Sequence, residues 1–328
     1  MRLLSAFASV VAVAVTVAAQ QDLTVGRAAG SPPRLAPTAH PAVPFDLSSM
    51  WYAPAASALT PALQGFVRGV KLLEDGSNAA AALPLVSAPE LHNTQLADYA
   101  RYYTGLALLA LKRYDAADAV FAELTAREIE GHLPEDSAFR RAEGREGQKD
   151  FAGAAAIYES LVTRKLTQPQ AAWLKLGLAA DQANNRVRAI DALQHAFYDY
   201  PLSTESEAAG LALTRLGVTI DASNAAREYE RGEALFRARR FSAARVAYER
   251  VREFMVGFER ERRDLHLAAC LVLSGHHREG RDGVKPSLDG ALADEAAYYH
   301  LVATRGLGLK TEHAGLVRAM VEKFPNSP

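Results

Sequence analysis

Trp173-Leu174-Lys175-Leu176-Gly177, followed at fixed distances by Ala189, Ala196 and Pro201, is the stretch whose reading decides the fold. Trp173, Leu176 and Gly177 share one face of a helical turn, and Ala189 and Ala196 fall seven apart on a second helix. A glycine or alanine at a helix contact lets two backbones approach closely. A bulky residue later in the chain then fills the remaining gap. Proline closes the unit because it cannot continue a helix. The stretch therefore predicts a pair of antiparallel helices in close contact.

The same offsets recur along the chain. Gly105, Tyr114, Ala117 and Phe121 occupy the small, aromatic, small and aromatic places of one unit, and Phe151, Ala154 and Tyr158 do so in the next, with Ala142 in the glycine place. Gly232, Phe241, Ala244 and Tyr248 form another copy. Weaker copies surround Gly69 and Ala81, Ala268 and Gly280, and Leu301 to Pro325. This is the tetratricopeptide pattern, W-x2-L-G, small residues and a closing proline, at a period of roughly 36 residues. Between Gly177 and Gly232 the interval lengthens to 55 residues, which predicts one extra helix opening at Thr204, with Glu207 completing a capping box. A hairpin of this kind leaves one apolar face open, so only stacking against its neighbours completes a core. The expected fold is all-α, an α-solenoid of tetratricopeptide-like hairpins forming a curved superhelix over residues 58–328.

The N-terminus reads differently. Met1 and Arg2 precede an uncharged apolar run that ends in Val17-Ala18-Ala19, the order of a secretory signal peptide cleaved after Ala19. The alternative is an uncleaved membrane anchor, since the run approaches the length that spans a bilayer. No cysteine follows it, which excludes a lipid-anchored lipoprotein. Residues 20–57 carry Pro32, Pro33, Pro37, Pro41, Pro44 and Pro54 without helical periodicity and read as an extended linker, with Trp51 and Tyr52 placed to dock on the first helix. The mature protein is expected in the periplasm or outside the cell, with no membrane contact after cleavage. At the other end, Lys323-Phe324-Pro325 stops one helix and Asn326-Ser327-Pro328 has the form of a new helix start, which reads as a truncated product.

Composition narrows function without naming it. The 328 residues carry 37 basic and 38 acidic side chains, a balance that argues against a nucleic-acid partner, because such binding neutralises many phosphates. A single cysteine excludes an internal disulfide and any cysteine-based structural zinc site. Gly306-Leu307-Gly308-Leu309-Lys310-Thr311 lacks the glycine before lysine that a phosphate loop needs, and reads as a loop between helices. His266 and Cys270 share a helix face, but the flanking Leu267-Ala268-Ala269 and Leu271-Val272-Leu273 make Cys270 a small buried hydrophobe rather than a ligand. His276-His277 reads as a polar turn. In the arginine-rich stretch from Arg227 to Arg263, Glu228, Glu230, Glu233, Glu249, Glu253, Glu259 and Glu261 interleave, which predicts a solvated helix face; the other reading is a basic patch for an anionic polymer. No cofactor, metal ligand set or catalytic residue emerges. Tyr99, Tyr102, Tyr103, Trp173, Tyr198, Tyr298 and Tyr299 are the aromatics to test as groove contacts, against the alternative that each packs between helices.

The order of these pieces resembles the N-terminal superhelical region of bacterial soluble lytic transglycosylases. The likeness rests on Leu96-Ala97-Asp98-Tyr99-Ala100-Arg101-Tyr102-Tyr103, on Phe197-Tyr198-Asp199-Tyr200-Pro201-Leu202-Ser203, and on Tyr298-Tyr299-His300-Leu301 through Phe324-Pro325-Asn326-Ser327. The resemblance implies an envelope scaffold whose concave face contacts peptidoglycan glycan strands or protein partners of the cell envelope. In that family non-hydrolytic glycan cleavage belongs to a separate C-terminal lysozyme-like domain, with a Glu-Ser site followed by Gly-Leu-Met-Gln and Ala-Tyr-Asn motifs. Neither later motif occurs here, and Glu159-Ser160 and Glu205-Ser206 fall inside expected repeat helices. No catalytic residue carries over. The competing reading is a stand-alone periplasmic tetratricopeptide adaptor that binds proteins only.

Overall fold

The computed structural model describes residues 60–127 and 131–325. The signal, the linker, the docking of Trp51 and Tyr52, and the segment Asn326-Ser327-Pro328 lie outside the described residues. Helices run in seven hairpins: α1 (Pro61–Glu74) with α2 (Ala79–Val86), α3 (Ala97–Ala110) with α4 (Tyr114–Ala126), α5 (Leu133–Gly147) with α6 (Phe151–Val162), and α7 (Pro169–Gln182) with α8 (Arg186–Tyr198). A single helix, α9 (Thr204–Arg215), interrupts the series. Then come α10 (Ala225–Arg237) with α11 (Phe241–Arg250), α12 (Gly257–Leu273) with α13 (His277–Val284), and α14 (Ala293–Gly306) with α15 (Lys310–Lys323). No strand occurs among the described residues. Each helix except α9 packs on the next in sequence, and first helices of successive hairpins also touch in the pairs α1 and α3, α3 and α5, α10 and α12, and α12 and α14. That nearest-neighbour order makes the fold an all-α solenoid.

Close pairing is visible at the glycines. A Cβ on Gly105 would sit 2.5 Å from the ring of Phe121, one on Gly177 2.5 Å from Leu193, and one on Gly232 2.9 Å from Tyr248. In each hairpin the partner lies sixteen residues on, so the side chain of the second helix occupies the space that a larger residue in the first would need. Ala142 and Tyr158 stand in the same relation, and both are fully buried. Ala117, Ala154, Ala189 and Ala244 are also fully buried, and a buried ring or Leu from the same hairpin lies against each.

Six of the seven hairpins turn in three residues, and the same device closes them. In four, a non-glycine adopts the left-handed conformation: Lys112, Lys149, Asn184 and Arg239, with φ from 57° to 63°. The following amide then reaches back to the last turn, as Arg240 N to Leu235 O at 2.9 Å and Asn185 N to Ala180 O at 2.8 Å. Asp150 and Asn185 cap the succeeding helices by accepting from Gly153 N and Arg188 N.

α9 begins where the lengthened interval places it, with a shift of one in the cap. Ser203, not Thr204, is the N-cap, its hydroxyl accepting from Ser206 N at 3.1 Å, while Thr204 is the first helical residue. The capping box is therefore not formed by Glu207. α9 packs on α7 and α8, and α10 returns to α8, so the stack changes register at this point.

Candidate functional site

The first helices of the hairpins carry a line of polar contacts from one hairpin to the next. Burial and the Glu74 carboxylate of α1 raise the phenol of Tyr103 on α3 above its ordinary value. Burial opposes the charge of Arg140 on α5, but its bonds to Tyr102 of α3 and to Glu143 outweigh burial and raise its pKa. Glu143 accepts from Arg140 at 2.7 Å and from Lys175 of α7 at 3.1 Å. Tyr158 is buried beside this line, and burial together with the Glu146 and Glu143 carboxylates holds its proton on.

Beyond the register change a second line joins α10, α12 and α14. His266 Nδ1 meets Glu233 Oε1 at 2.7 Å, and its Nε2 meets Glu295 Oε1 at 3.0 Å. Tyr248 donates to the same Glu233 oxygen at 2.7 Å, Tyr299 donates to Glu295 at 3.3 Å, and Phe236 stacks flat on the imidazole at 4.6 Å. Burial works against a charged imidazole, but the two carboxylates outweigh it and lift the His266 pKa to about 9. Both ring nitrogens are engaged, so the imidazolium joins three helices and has no lone pair to offer as a base. Burial pushes the neighbouring Cys270 thiol up to about 12, far from the range of a reactive thiolate.

At the register change lies a cavity of about 310 Å³ walled by Phe197, Leu213, Val218 and Ile220, with Arg250 at its edge. Arg250 of this wall pairs at 3.5 Å with Glu228, which is fully buried and 3.7 Å from Arg231, and burial raises the Glu228 pKa. Arg231 lies 4.0 Å over the ring of Phe197 and Arg227 4.7 Å over Tyr198. Such stacking suits a guanidinium that has lost part of its water.

These positions correct several expectations. Tyr198 and Tyr299 are 8% and 7% exposed, so they are packing residues and not groove contacts. Tyr102 and Tyr103 are half-buried and packed edge-on against each other, with Tyr102 also against Phe121 and Tyr103 against Phe66. Trp173 is half-buried and stacked on His195 at 4.2 Å. Tyr99 and Tyr298 are exposed, at 40% and 49%. The stretch from Arg227 to Arg263 is not a wholly solvated face: Glu228 and Arg263 are buried and Glu233 nearly so, because α10 and α12 have neighbours on two sides. His277 opens α13 instead of forming a turn, and its ring lies against Gly306. Glu159 pairs with Arg188 at 2.6 Å, and Ser206 donates to Phe197 O at 2.9 Å. The Glu233–His266–Glu295 clamp had no signature in local spacing, and the three-residue spacing of Glu228 and Arg231 did not reveal their burial.

Among the described residues no group of three or more His, Cys, Asp or Glu side chains converges as a metal site, and no helix is long and apolar enough to cross a membrane. The family model for the tetratricopeptide repeat matches residues 171–203, the hairpin α7–α8 and the turn into α9. No curated protein sequence matches the chain.

Proposed function

We propose that this chain is an exported helical-repeat scaffold that binds protein partners of the cell envelope through the first helices of its hairpins. The observation that carries this reading is the tetratricopeptide hairpin repeated around residues 171–203, since such repeats serve protein–protein interaction. Exposed Tyr99 on α3 and Tyr298 on α14 supply aromatic contact area, the residue type enriched at binding hot spots. Export rests on the order of Arg2, the apolar run and Val17-Ala18-Ala19. The resemblance to the superhelical region of soluble lytic transglycosylases extends the reading to peptidoglycan glycan as a further partner.

A photo-crosslinking side chain placed at Tyr99, at Tyr298 and, as the control, at Val187 on the second helix α8 tests the face. Discrete adducts from positions 99 and 298 and none from 187 are expected; adducts from 187 alone would reverse the assignment. Mass measurement of the exported product is expected to find Gln20 as its first residue. Co-sedimentation with purified sacculi separates a glycan partner from protein partners alone, which would leave the chain in the supernatant.

A further inference from the structure

A second cleft, about 590 Å³, opens between the α11–α12 loop, α12, α13 and the short turn Lys285–Ser287. It is lined by Arg252, Arg260 and Arg263, with Asp264 as the one carboxylate in its wall. Three guanidinium groups against one carboxylate leave two positive charges in one concave site. Neither Arg252 nor Arg260 has an ion pair or side-chain hydrogen bond among the described residues, and both are exposed.

Arg263 differs from its neighbours. It is 2% exposed, held by Asp264 through Nε and Nη2 and by Arg252 O through Nη1 at 2.7 Å. Of the five N–H groups a guanidinium carries, those three bonds leave two unspent. Ser287, 5% exposed, also lines the cleft, and its hydroxyl makes no hydrogen bond among the described residues. A buried guanidinium with donors to spare and an unpartnered hydroxyl on a buried serine thus share one wall, beside two unpaired arginines. The rest of the wall is apolar, with Leu267, Leu271 and Pro286.

We infer that this cleft binds a phosphate monoester joined to an apolar group. A phosphate monoester is a dianion near neutral pH and matches the two uncompensated charges. Its oxygens accept from guanidinium forks and from the Ser287 hydroxyl. The apolar wall accounts for the second part of the ligand. Carboxylates and sulfonates, with one charge, leave one guanidinium unmatched. The same chemistry is found in a soluble ester and in a lipid headgroup such as phosphatidate.

Calorimetric titration of the full chain with phenyl phosphate, with benzenesulfonate as the singly charged control, tests the assignment. Saturable binding of phenyl phosphate is expected, tighter than the sulfonate and weakening as salt is raised. Arg252→Gln and Arg260→Gln, both at exposed positions, should each weaken it roughly ten-fold, and Ser287→Ala should weaken it less. A parallel arm follows co-sedimentation with vesicles of phosphatidylcholine and phosphatidate. Binding to vesicles but not to phenyl phosphate, lost in the arginine variants, identifies a lipid source; binding to phenyl phosphate identifies a soluble one. Absence of binding in both arms, or affinity unchanged by both arginine substitutions, overturns the inference.

Discussion

His266 and Glu233 stand 2.7 Å apart, Nδ1 to Oε1, across the contact of α12 and α10, with the imidazole pKa lifted to about 9. The charged ring is what both Glu233 and Glu295 require, since each has its own pKa held below the ordinary carboxylate value by that ring. A group whose pKa is raised by folding contributes fully below its unfolded value and loses that contribution as pH climbs through the folded one. Here the window runs from the ordinary 6.5 up to about 9. The two glutamates act in the opposite sense and lose their contribution on acidification, below 4.5. The hairpins from α10 to α15 should therefore be most stable between pH 4.5 and 6.5, and should lose on the order of 3 kcal/mol by pH 9.5. Hydrogen exchange of α12 amides across that range measures it. His266→Gln should flatten the alkaline limb; an unchanged slope in that variant would remove His266 as its cause.

Gly105 and Gly315 predict opposite signs for one substitution. A Cβ at Gly105 would meet the Phe121 ring at 2.5 Å, whereas nothing lies within 4 Å at Gly315 on the exposed side of α15. Gly105→Ala should cost about 1–3 kcal/mol by overpacking. Gly315→Ala should gain about 0.5–1 kcal/mol from helix propensity. Adding Phe121→Leu to Gly105→Ala should recover part of the loss, because the shorter side chain vacates the contested space. Urea unfolding of the parent, Gly105→Ala, Phe121→Leu and the double variant reads out the coupling, and additive effects would count against direct contact.

The hairpins were legible because their cause is local and periodic. The small residue at 105, 142, 177 and 232 and its bulky partner sixteen positions on lie within one hairpin, so spacing alone exposes them. The extra helix was legible from an interval that one hairpin could not fill. Its cap was displaced by one because Ser203 and Thr204 are both good caps, and only the chain direction leaving Tyr200 selects the serine, whose hydroxyl also donates to Tyr200 O at 2.9 Å. Charge burial was not legible. Glutamate and arginine three or four apart look the same on a wet helix and at a contact between helices. Which it is depends on neighbours 29 and 33 residues distant, as for Glu295 and Glu233 around His266.

Arg239 occupies a left-handed position at φ 61° between α10 and α11, where Gly275 and Gly308 serve in later hairpins. A side chain there crowds the following carbonyl, while glycine costs more chain entropy on folding. The first effect is the larger, so Arg239→Gly should stabilise by up to about 1 kcal/mol. Arg239 is exposed and has no side-chain partner among the described residues, so nothing else is lost. A midpoint in urea that falls instead of rising would show that the turn is not strained.

Arg231 tests the buried pair at the register change. Its side chain is 10% exposed, lies over Phe197 and faces the fully buried Glu228 at 3.7 Å. Arg231→Met retains an apolar stem over the ring and removes the charge. Glu228 would then keep only Arg250 at 3.5 Å, itself half in solvent. Breaking a buried pair from one side should cost about 3–5 kcal/mol at pH 7, whereas replacing both members is far milder. Glu228→Gln combined with Arg231→Met should therefore be more stable than Arg231→Met alone. Acid should narrow the difference, because burial already raises the Glu228 pKa and a protonated carboxyl no longer needs its partner. Equal stability of the single and double variants from pH 4.5 to 7 would mean that Glu228 carries no charge in the folded protein, and that Arg231 acts through its stacking on Phe197 alone.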